Sequence, residues 1–167
     1  GGWWGSELKN AGFDGLVIKG KSDVPVYIWI HDGEVEIRSA DHFWGKLTDE
    51  TDCIIREELG GDPKIRISTI GPAGENLVRY ATIMNDLSRT AGRSGLGAVM
   101  GSKNIKAIAV RGSVSLGLDN KELMRQLIRW ITGNYKDLMG WAVEAGTAGS
   151  VQFLHDIGST PIHNFQD

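Results

Sequence analysis

Alternating apolar and polar positions predict β-strands in the first two thirds of the chain. Residues 26–30 and 35–38 are strand-like runs that flank an Asp-Gly pair at positions 32–33. An Asp-Gly pair between two such runs is typical of a β-hairpin with a type I′ turn, in which both central residues have positive φ. Residues 64–70 alternate cleanly and residues 105–110 form an apolar run, so each predicts a further strand.

Two other apolar segments are also assigned to strands. Residues 16–18, with the sequence Leu-Val-Ile, form a short run that is typical of a strand. Residues 77–84 fit either a strand or a helix, and their β-branched and aromatic side chains favour the strand.

A helix is predicted between Thr48, which can cap its N-terminus, and Gly60, which ends it. Acidic residues fill the first turn, where the positive end of the helix dipole favours negative charge. Cys53 lies within this helix, and we expect it to be a buried structural thiol rather than a ligand.

The pattern changes to that of helices after Gly117. Asp119 and Glu122 resemble a capping box, and leucine and isoleucine follow at helical spacing. A second, shorter helix is predicted over residues 147–155. The boundary between the mixed region and the helical region is therefore expected near residues 113–118.

The most unusual stretch of the chain spans residues 88–104 and is both glycine-rich and basic. Glycines lack a Cβ, so the backbone can come close to whatever it faces. Arg89, Arg93 and Lys103 add positive charge, and residues 96–100 predict a short helix. A helix start with nearby guanidinium groups suits an anion, most simply a phosphate. The pattern matches no common nucleotide fingerprint, and a plain glycine-rich turn is the alternative. The glycines are Gly92, Gly95, Gly97 and Gly101.

A loose internal repeat relates residues 1–20 to residues 95–112. Each copy contains glycines, a short helical segment, an apolar β-like run, and then a basic residue followed by glycine. This repeat predicts a duplicated unit with two glycine-rich helix starts. The expected fold class is α+β: a duplicated mixed α/β unit with mainly antiparallel sheets, followed by the first helices of an all-α region.

Composition and charge narrow the possible functions of the 167 residues. The net charge of −3 is too small to indicate a nucleic acid or membrane-surface partner. No run approaches the length of a transmembrane helix, and we expect no signal peptide. The single cysteine excludes an internal disulfide framework and fits a cytoplasmic location. The four histidines are scattered and predict no metal site.

Three motifs closely resemble the tungsten-containing aldehyde ferredoxin oxidoreductase family. They are GGWWGSELKNAGFDGLVIKG at residues 1–20, IGPAGEN at 70–76 and GRSGLGAVMGSKNIKAIAV at 92–110. Gly-Thr at 146–147 and PIHNFQ at 161–166 resemble later segments of the same family. The resemblance therefore covers essentially the whole chain, although enzymes of the family are much longer.

The resemblance implies a division of the chain into two parts. Residues 1–116 would be the N-terminal cofactor-binding domain, truncated at its start, and residues 117–167 would be the beginning of the helical C-terminal domain. The cluster cysteines and the acid/base residues of the family lie in later domains. We therefore expect no catalytic residue in this chain, and no activity from the chain alone.

The resemblance also implies an enzymatic activity with its cofactors and partners. Members hold tungsten, or in some relatives molybdenum, between two pterins whose phosphates are bridged by magnesium, next to a 4Fe–4S cluster. They oxidise aldehydes to carboxylic acids and pass the electrons to ferredoxin. The implied partners are an aldehyde, ferredoxin and the remaining domains of a longer chain. A homodimer is left open, and neither a nucleic acid nor a membrane is implied.

By the same likeness, the cofactor-binding residues lie in two segments that are far apart in the sequence. The basic loop would bind one pterin and its phosphate, and the start of the chain would face the other pterin. Thr90 would offer its backbone carbonyl to magnesium. The expected cofactor-binding residues are Gly1, Gly2, Arg89, Thr90, Gly92, Arg93 and Gly95.

Two other interpretations of the basic loop stay open. One is a non-enzymatic module that binds phosphate or a nucleotide, and the other is a structural domain whose glycines serve tight packing. Single side chains are ambiguous as well. Glu75 could contact a ligand or its own turn. Asp86 could orient Arg89 or serve a turn. The Trp3-Trp4 pair could stack on a ring system or pack in the core.

Overall fold

The computed structural model describes residues 2–115 and 117–164, without the side chains of residues 141 and 162. Internal contacts divide the chain into two compact units, residues 1–116 and residues 117–167. The first unit contains strands β1 Val26–His31, β2 Glu34–Ser39, β3 Arg66–Thr69, β4 Ile83–Asn85, β5 Arg89–Ala91 and β6 Ile105–Arg111. Its helices are α1 Trp4–Asn10, α2 Thr48–Glu58, α3 Pro72–Glu75 and α4 Leu96–Ser102, with a 3₁₀ turn at Asp41–Phe43.

The six strands form one sheet in the order β2-β1-β6-β3-β4-β5. β1 and β6 are parallel, whereas all other neighbouring strands in this sheet are antiparallel. A mixed, mostly antiparallel sheet with helices confirms the predicted α+β class. The predicted strand at 105–110 corresponds to β6, and the predicted strand at 64–70 is shorter, as β3.

The first hairpin has the predicted geometry. Val26 pairs with Ser39 at one end, and the turn contains Asp32 (φ 42°) and Gly33 (φ 89°). The Asp32 carboxylate accepts hydrogen bonds from the backbone N–H (2.6 Å) and the hydroxyl (2.9 Å) of Ser113, and the hydrogen bond from this N–H holds the pKa of Asp32 below its usual value. The turn is therefore tied to the chain that follows β6.

Two strand predictions were wrong. Residues 16–18 pair with no described strand, although Leu16 and Ile18 pack against the core while Val17 points to solvent. A loop that lies across a sheet face produces the same alternation as a strand. In the segment 77–84 only the last two residues belong to a strand, β4, because the chain turns at Leu77 (φ 58°).

The predicted internal repeat is present only in part. Both copies contain a short helix, α1 in the first and α4 in the second. Only the second copy continues into a strand, because residues 16–18 do not join the sheet. The helix-and-strand repeat is therefore wrong for the first copy.

The core lies on both faces of the central strands. Ile28 and Ile30 of β1 face the side that α1 and α4 cover, whereas Tyr27 and Trp29 face the side that α2 and the 3₁₀ turn cover. Both faces of β1 are thus buried, which explains its uninterrupted apolar sequence.

Helix α2 differs from its prediction in two details. Its N-cap is Leu47, one residue before Thr48, and the Glu50 carboxylate accepts the Leu47 N–H (3.0 Å). Cys53 is exposed rather than buried, because the buried side of α2 carries Thr51, Asp52 and Ile55. A hydrogen bond to the Glu57 carboxylate raises the pKa of the Cys53 thiol.

The second unit is helical, as predicted. It contains α5 Lys121–Met139, α6 Trp141–Ala145 and α7 Val151–Asp156, with 3₁₀ turns at Gly146–Ser150 and Ile162–Asn164. Asn120 rather than Asp119 caps α5, and its side chain accepts the Leu123 N–H (2.9 Å). The helix predicted over 147–155 is a 3₁₀ turn followed by α7. Among the described residues, no helix combines the length and apolar character needed to cross a membrane.

Candidate functional site

The basic residue Arg89 lies in a second hairpin, formed by β4 and β5. Asp86 (φ 47°) and Leu87 (φ 56°) form its turn in the left-handed conformation. The buried Asn85 side chain accepts a hydrogen bond from the Ser68 hydroxyl and so ties the hairpin to β3. Arg89 is the first residue of β5, the strand at the edge of the sheet, and it directly follows this anchored turn.

The chain start meets this hairpin. The Trp3 N–H donates to Asp86 Oδ2 (3.0 Å), and Gly2 lies against the same turn with φ 79°. A Cβ on Gly2 would lie 2.8 Å from Asp86 Oδ2 and 3.3 Å from Arg89 Cγ, so only glycine fits without a shift. Two of the expected cofactor-binding residues, Gly2 and Arg89, are thus adjacent in the fold. Gly1 lies outside the described residues.

A cavity of about 490 Å³ opens between the chain start and the hairpin. Its charged side chains are Asp86 and Arg89. Asp86 Oδ1 is buried without a hydrogen-bond partner among the described residues. Arg89 is exposed and makes no ion pair within the part of the chain that the structure describes. The walls are Gly2, Trp3, Ser6, Asp86, Ser88 and Arg89.

The remaining expected residues lie in and after β5, outside the walls of this cavity. Thr90 pairs with Met84 in the ladder and is exposed, as are Gly92 and Arg93. Arg93, like Arg89, has no carboxylate partner among residues 2–115 and 117–164. The chain then turns into α4. The structure therefore brings Gly2 and Arg89 together and places the other residues on the adjoining segment.

The glycines of α4 serve close packing of the chain on itself. A Cβ on Gly101 would overlap the carbonyl oxygen of Gly74, and a Cβ on Gly97 would lie 2.6 Å from the Thr82 carbonyl oxygen. Gly95 has φ 66°, and its Cβ would overlap the Arg79 carbonyl oxygen. These positions match the packing interpretation that the sequence left open. Substitution at Gly95 would disturb the fold whether or not a ligand binds.

Gly92 differs from the α4 glycines. A Cβ there would be 3.7 Å from the nearest atom, Thr90 Cγ2, which is an ordinary contact.

The two tryptophans near the chain start have different surroundings. Trp4 packs against the core and donates from Nε1 to the Ile108 carbonyl (3.0 Å), whereas Trp3 is 68% exposed at the cavity.

The first unit also contains a buried ion pair, and the sequence analysis missed half of it. Lys106 on β6 is fully buried, and its ammonium donates to Glu75 and to the Lys46 carbonyl (2.8 Å). The other Glu75 oxygen accepts the Gly45 N–H (2.9 Å). Glu75 thus joins three segments rather than serving its own turn. Burial lowers the pKa of Lys106, and Glu75 opposes that shift. The apolar run of β6 gave no signal for a buried lysine.

The chain start and the second hairpin thus bring a glycine, an aspartate and an arginine together at one cavity of an α+β domain. The chain belongs to the aldehyde ferredoxin oxidoreductase family: the family profile "Aldehyde ferredoxin oxidoreductase, N-terminal domain" matches residues 1–112. The family resemblance read from the sequence motifs is therefore confirmed.

Curated relatives extend the match over nearly the whole chain. The tungsten-containing aldehyde ferredoxin oxidoreductases of Pyrococcus furiosus and Thermococcus kodakarensis are each 47% identical to it, over 99% of this chain and 28% of their own length. The aliphatic sulfonate oxidoreductase, WOR-like subunit, of Pyrococcus furiosus is 44% identical over 98% of this chain and 28% of its own length. The chain thus spans less than a third of the length of these relatives.

A solved structure shares the fold. It is the active site complex BamBC of benzoyl coenzyme A reductase in complex with 1,5-dienoyl-CoA, at a TM-score of 0.77 and 42% identity. The match covers 82% of this chain and 21% of the other.

Proposed function

We propose that this chain forms the surface on which the bis-pterin cofactor of a tungsten-containing oxidoreductase lies. The observation that carries the proposal is the junction of Gly2, Asp86 and Arg89 within a domain of this family. Two segments that are far apart in the sequence meet there around a cavity. Their charged groups have unused hydrogen-bonding capacity among the described residues.

The residues of the site fit the phosphate and magnesium end of such a cofactor. Arg89 and Arg93 are exposed guanidinium groups without carboxylate partners in the described chain, so both are available to a phosphate. Gly2 allows a ligand to approach the backbone where a side chain would not fit. The unpartnered Asp86 Oδ1 suits a cation or an N–H donor. The Thr90 carbonyl remains the proposed magnesium ligand from this chain.

When bound, the metal and its pterins would supply the two-electron oxidation of an aldehyde, with ferredoxin as electron acceptor. The names of the curated relatives support both the substrate class and the acceptor. This chain would hold and orient the cofactor. Residues of a longer chain would supply the iron–sulfur ligands, the acid/base groups and, in a homodimer, the subunit contacts.

Specificity for one substrate would be determined outside this chain. Relatives that are named for aldehydes and for aliphatic sulfonates match it at 47% and 44% identity over almost its full length. A segment shared so evenly between differently named enzymes is suited to the cofactor that they have in common. The proposal places the enzyme in the cytoplasm, which rests on the single cysteine.

The test is Arg89→Ala in the full-length protein that contains this chain. A charge-assisted contact with phosphate contributes on the order of 1.5–3 kcal/mol. We expect tungsten and pterin content per folded molecule to fall together, while the melting temperature of the cofactor-free protein stays unchanged. Arg129→Ala, at an exposed position on α5, is the control and should keep full content. Full occupancy in Arg89→Ala would contradict the phosphate-binding role.

A further inference from the structure

A histidine and two glutamates converge at the tip of the first hairpin. His31 lies directly opposite Glu34 in the β1–β2 register, and Glu36 lies two positions further along β2 on the same face. His31 Nε2 is 2.9 Å from Glu36 Oε1 and 3.6 Å from Glu34 Oε2. One ligand atom from each side chain lies within 4.8 Å of the other two. Residue spacing alone does not reveal this cluster, since Glu36 joins it through the cross-strand register.

Neighbouring side chains fix the orientation of two members of the cluster. Arg38 binds Glu36 Oε2 through Nε (2.9 Å) and Nη2 (2.8 Å), so Glu36 Oε1 is left to face His31. The Trp29 ring stacks on the His31 ring with the centroids 5.2 Å apart. Such outer partners hold metal ligands in place and raise affinity. The turn between the two strands is itself anchored to the chain beyond β6, as described above.

We propose that His31, Glu34 and Glu36 bind a divalent cation of the zinc class. One imidazole nitrogen and two carboxylates form a donor set that Zn²⁺ accepts, and the two negative charges balance the charge of the ion. Bonds of about 2.0–2.1 Å in a tetrahedral site place neighbouring ligands about 3.4 Å apart. The observed separations of 2.9 and 3.6 Å from His31 Nε2 lie on either side of that value.

The fourth coordination position faces solvent. The Glu34 side chain is 74% exposed, so water would complete the shell. The ion would cross-link the two strands at the tip of an edge hairpin. Zinc binding at this hairpin does not depend on cofactor binding at the second hairpin.

The same chain offers a matched control. His42 Nε2 lies 2.5 Å from Glu58 Oε1, so it is also a histidine with a carboxylate neighbour. The other Glu58 oxygen accepts the Tyr27 hydroxyl (2.9 Å). This pair has one carboxylate where the hairpin cluster has two. Substitution of His42 therefore shows whether an ordinary His–Glu contact on this surface contributes to zinc binding.

The experiment is calorimetric titration of ZnCl₂ into the chain carrying Cys53→Ser, because an exposed cysteine can bind zinc as its thiolate and would add a second signal. We expect one Zn²⁺ per chain with a micromolar dissociation constant. His31→Gln and Glu34→Gln should each weaken binding by about tenfold or more, as loss of a supporting group already does in other sites. His42→Gln should leave it unchanged.

Three outcomes would overturn the proposal. They are a dissociation constant above about 1 mM, binding that survives His31→Gln, and an equal loss in His42→Gln. Circular dichroism checks that each variant folds. If His31→Gln fails to fold, Glu34→Gln decides, since the exposed Glu34 side chain makes its ion pair with His31 alone among the described residues.

Discussion

The buried ion pair between Lys106 and Glu75 allows a quantitative prediction about stability. The two side chains are 0% and 4% exposed, so solvent cannot replace either partner. Glu75→Gln removes the negative charge that faces Lys106. It keeps a side-chain oxygen that can still accept the Gly45 N–H. The amide NH₂ of the new glutamine then faces Lys106 and cannot accept its hydrogen bond, so the variant leaves a buried ammonium without its counter-charge.

The expected cost follows from the lysine. In the variant, the Lys106 ammonium either stays charged and unpaired or loses its proton. From its ordinary pKa of 10.5, loss of the proton at pH 7 costs about 4.8 kcal/mol, at about 1.36 kcal/mol per pH unit. That value is the upper limit, because the lysine can always deprotonate. Removing one partner of a buried pair typically costs about 3–5 kcal/mol. We expect Glu75→Gln to lower the free energy of unfolding by a similar amount.

The pH dependence has a definite sign. A neutral Lys106 in the folded variant means that the unfolded state binds one more proton at any pH below 10.5 and above the folded pKa. Stability of Glu75→Gln should therefore rise with pH across that window, by up to about 1.36 kcal/mol per pH unit, more steeply than in the unchanged chain.

Urea denaturation followed by circular dichroism measures both effects. Adding Lys106→Met to Glu75→Gln should recover most of the lost stability, because the unpaired charge is then gone. Asp14→Asn is the control, since the Lys9–Asp14 pair is exposed and such pairs contribute about 0–1 kcal/mol. A loss below about 1 kcal/mol in Glu75→Gln, with an unchanged pH slope, would show that Lys106 does not depend on the Glu75 charge.

Two further predictions concern packing and acid stability. Gly101→Ala should lower the free energy of unfolding by about 2–3 kcal/mol, because its Cβ would overlap the Gly74 carbonyl. At Gly133 an added Cβ would have no described atom within 4 Å beyond its own turn of helix, so Gly133→Ala should raise the free energy of unfolding by about 0.5–1 kcal/mol. Equal changes in the free energy of unfolding for the two variants, measured by urea denaturation, would contradict the packing role of Gly101. Arg111 holds the pKa of Asp62 below 3.8. The unfolded state therefore takes up its proton first, and this stabilisation is lost as pH falls below about 4. Asp62→Asn should flatten that part of the acid profile of the melting temperature, and an unchanged profile would contradict it.

Local sequence signals predicted the elements that local physics determines. The Asp-Gly turn at 32–33 requires positive φ at both residues, so the first hairpin could be recognised without knowledge of its surroundings. The same holds for α2, whose acidic first turn and terminal glycine identify it, and for β6. The apolar run at 16–18 was misleading, because apolar side chains indicate burial and not whether the backbone has a partner strand.

The site was predictable only in part, for a related reason. The motifs pointed to Arg89 and to the chain start, but their contact through Asp86 depends on a turn that positions three segments. Lys106 could not be recognised, because its carboxylate partner lies 31 residues away and both groups are buried only after the sheet forms. Pairings of this kind arise from tertiary structure and leave no periodic signal.

The proposed role of this chain is to help to hold a tungsten–pterin cofactor in a longer enzyme. Its most direct test is the metal and pterin content of the purified full-length protein, by plasma mass spectrometry and by fluorescence of the oxidised pterin. We expect one tungsten, or molybdenum, for every two pterins. We also expect both to be lost together when Arg89 and Arg93 are replaced by alanine. A fully folded protein with neither metal nor pterin, or with unchanged content in the double variant, would show that the chain does not have this role.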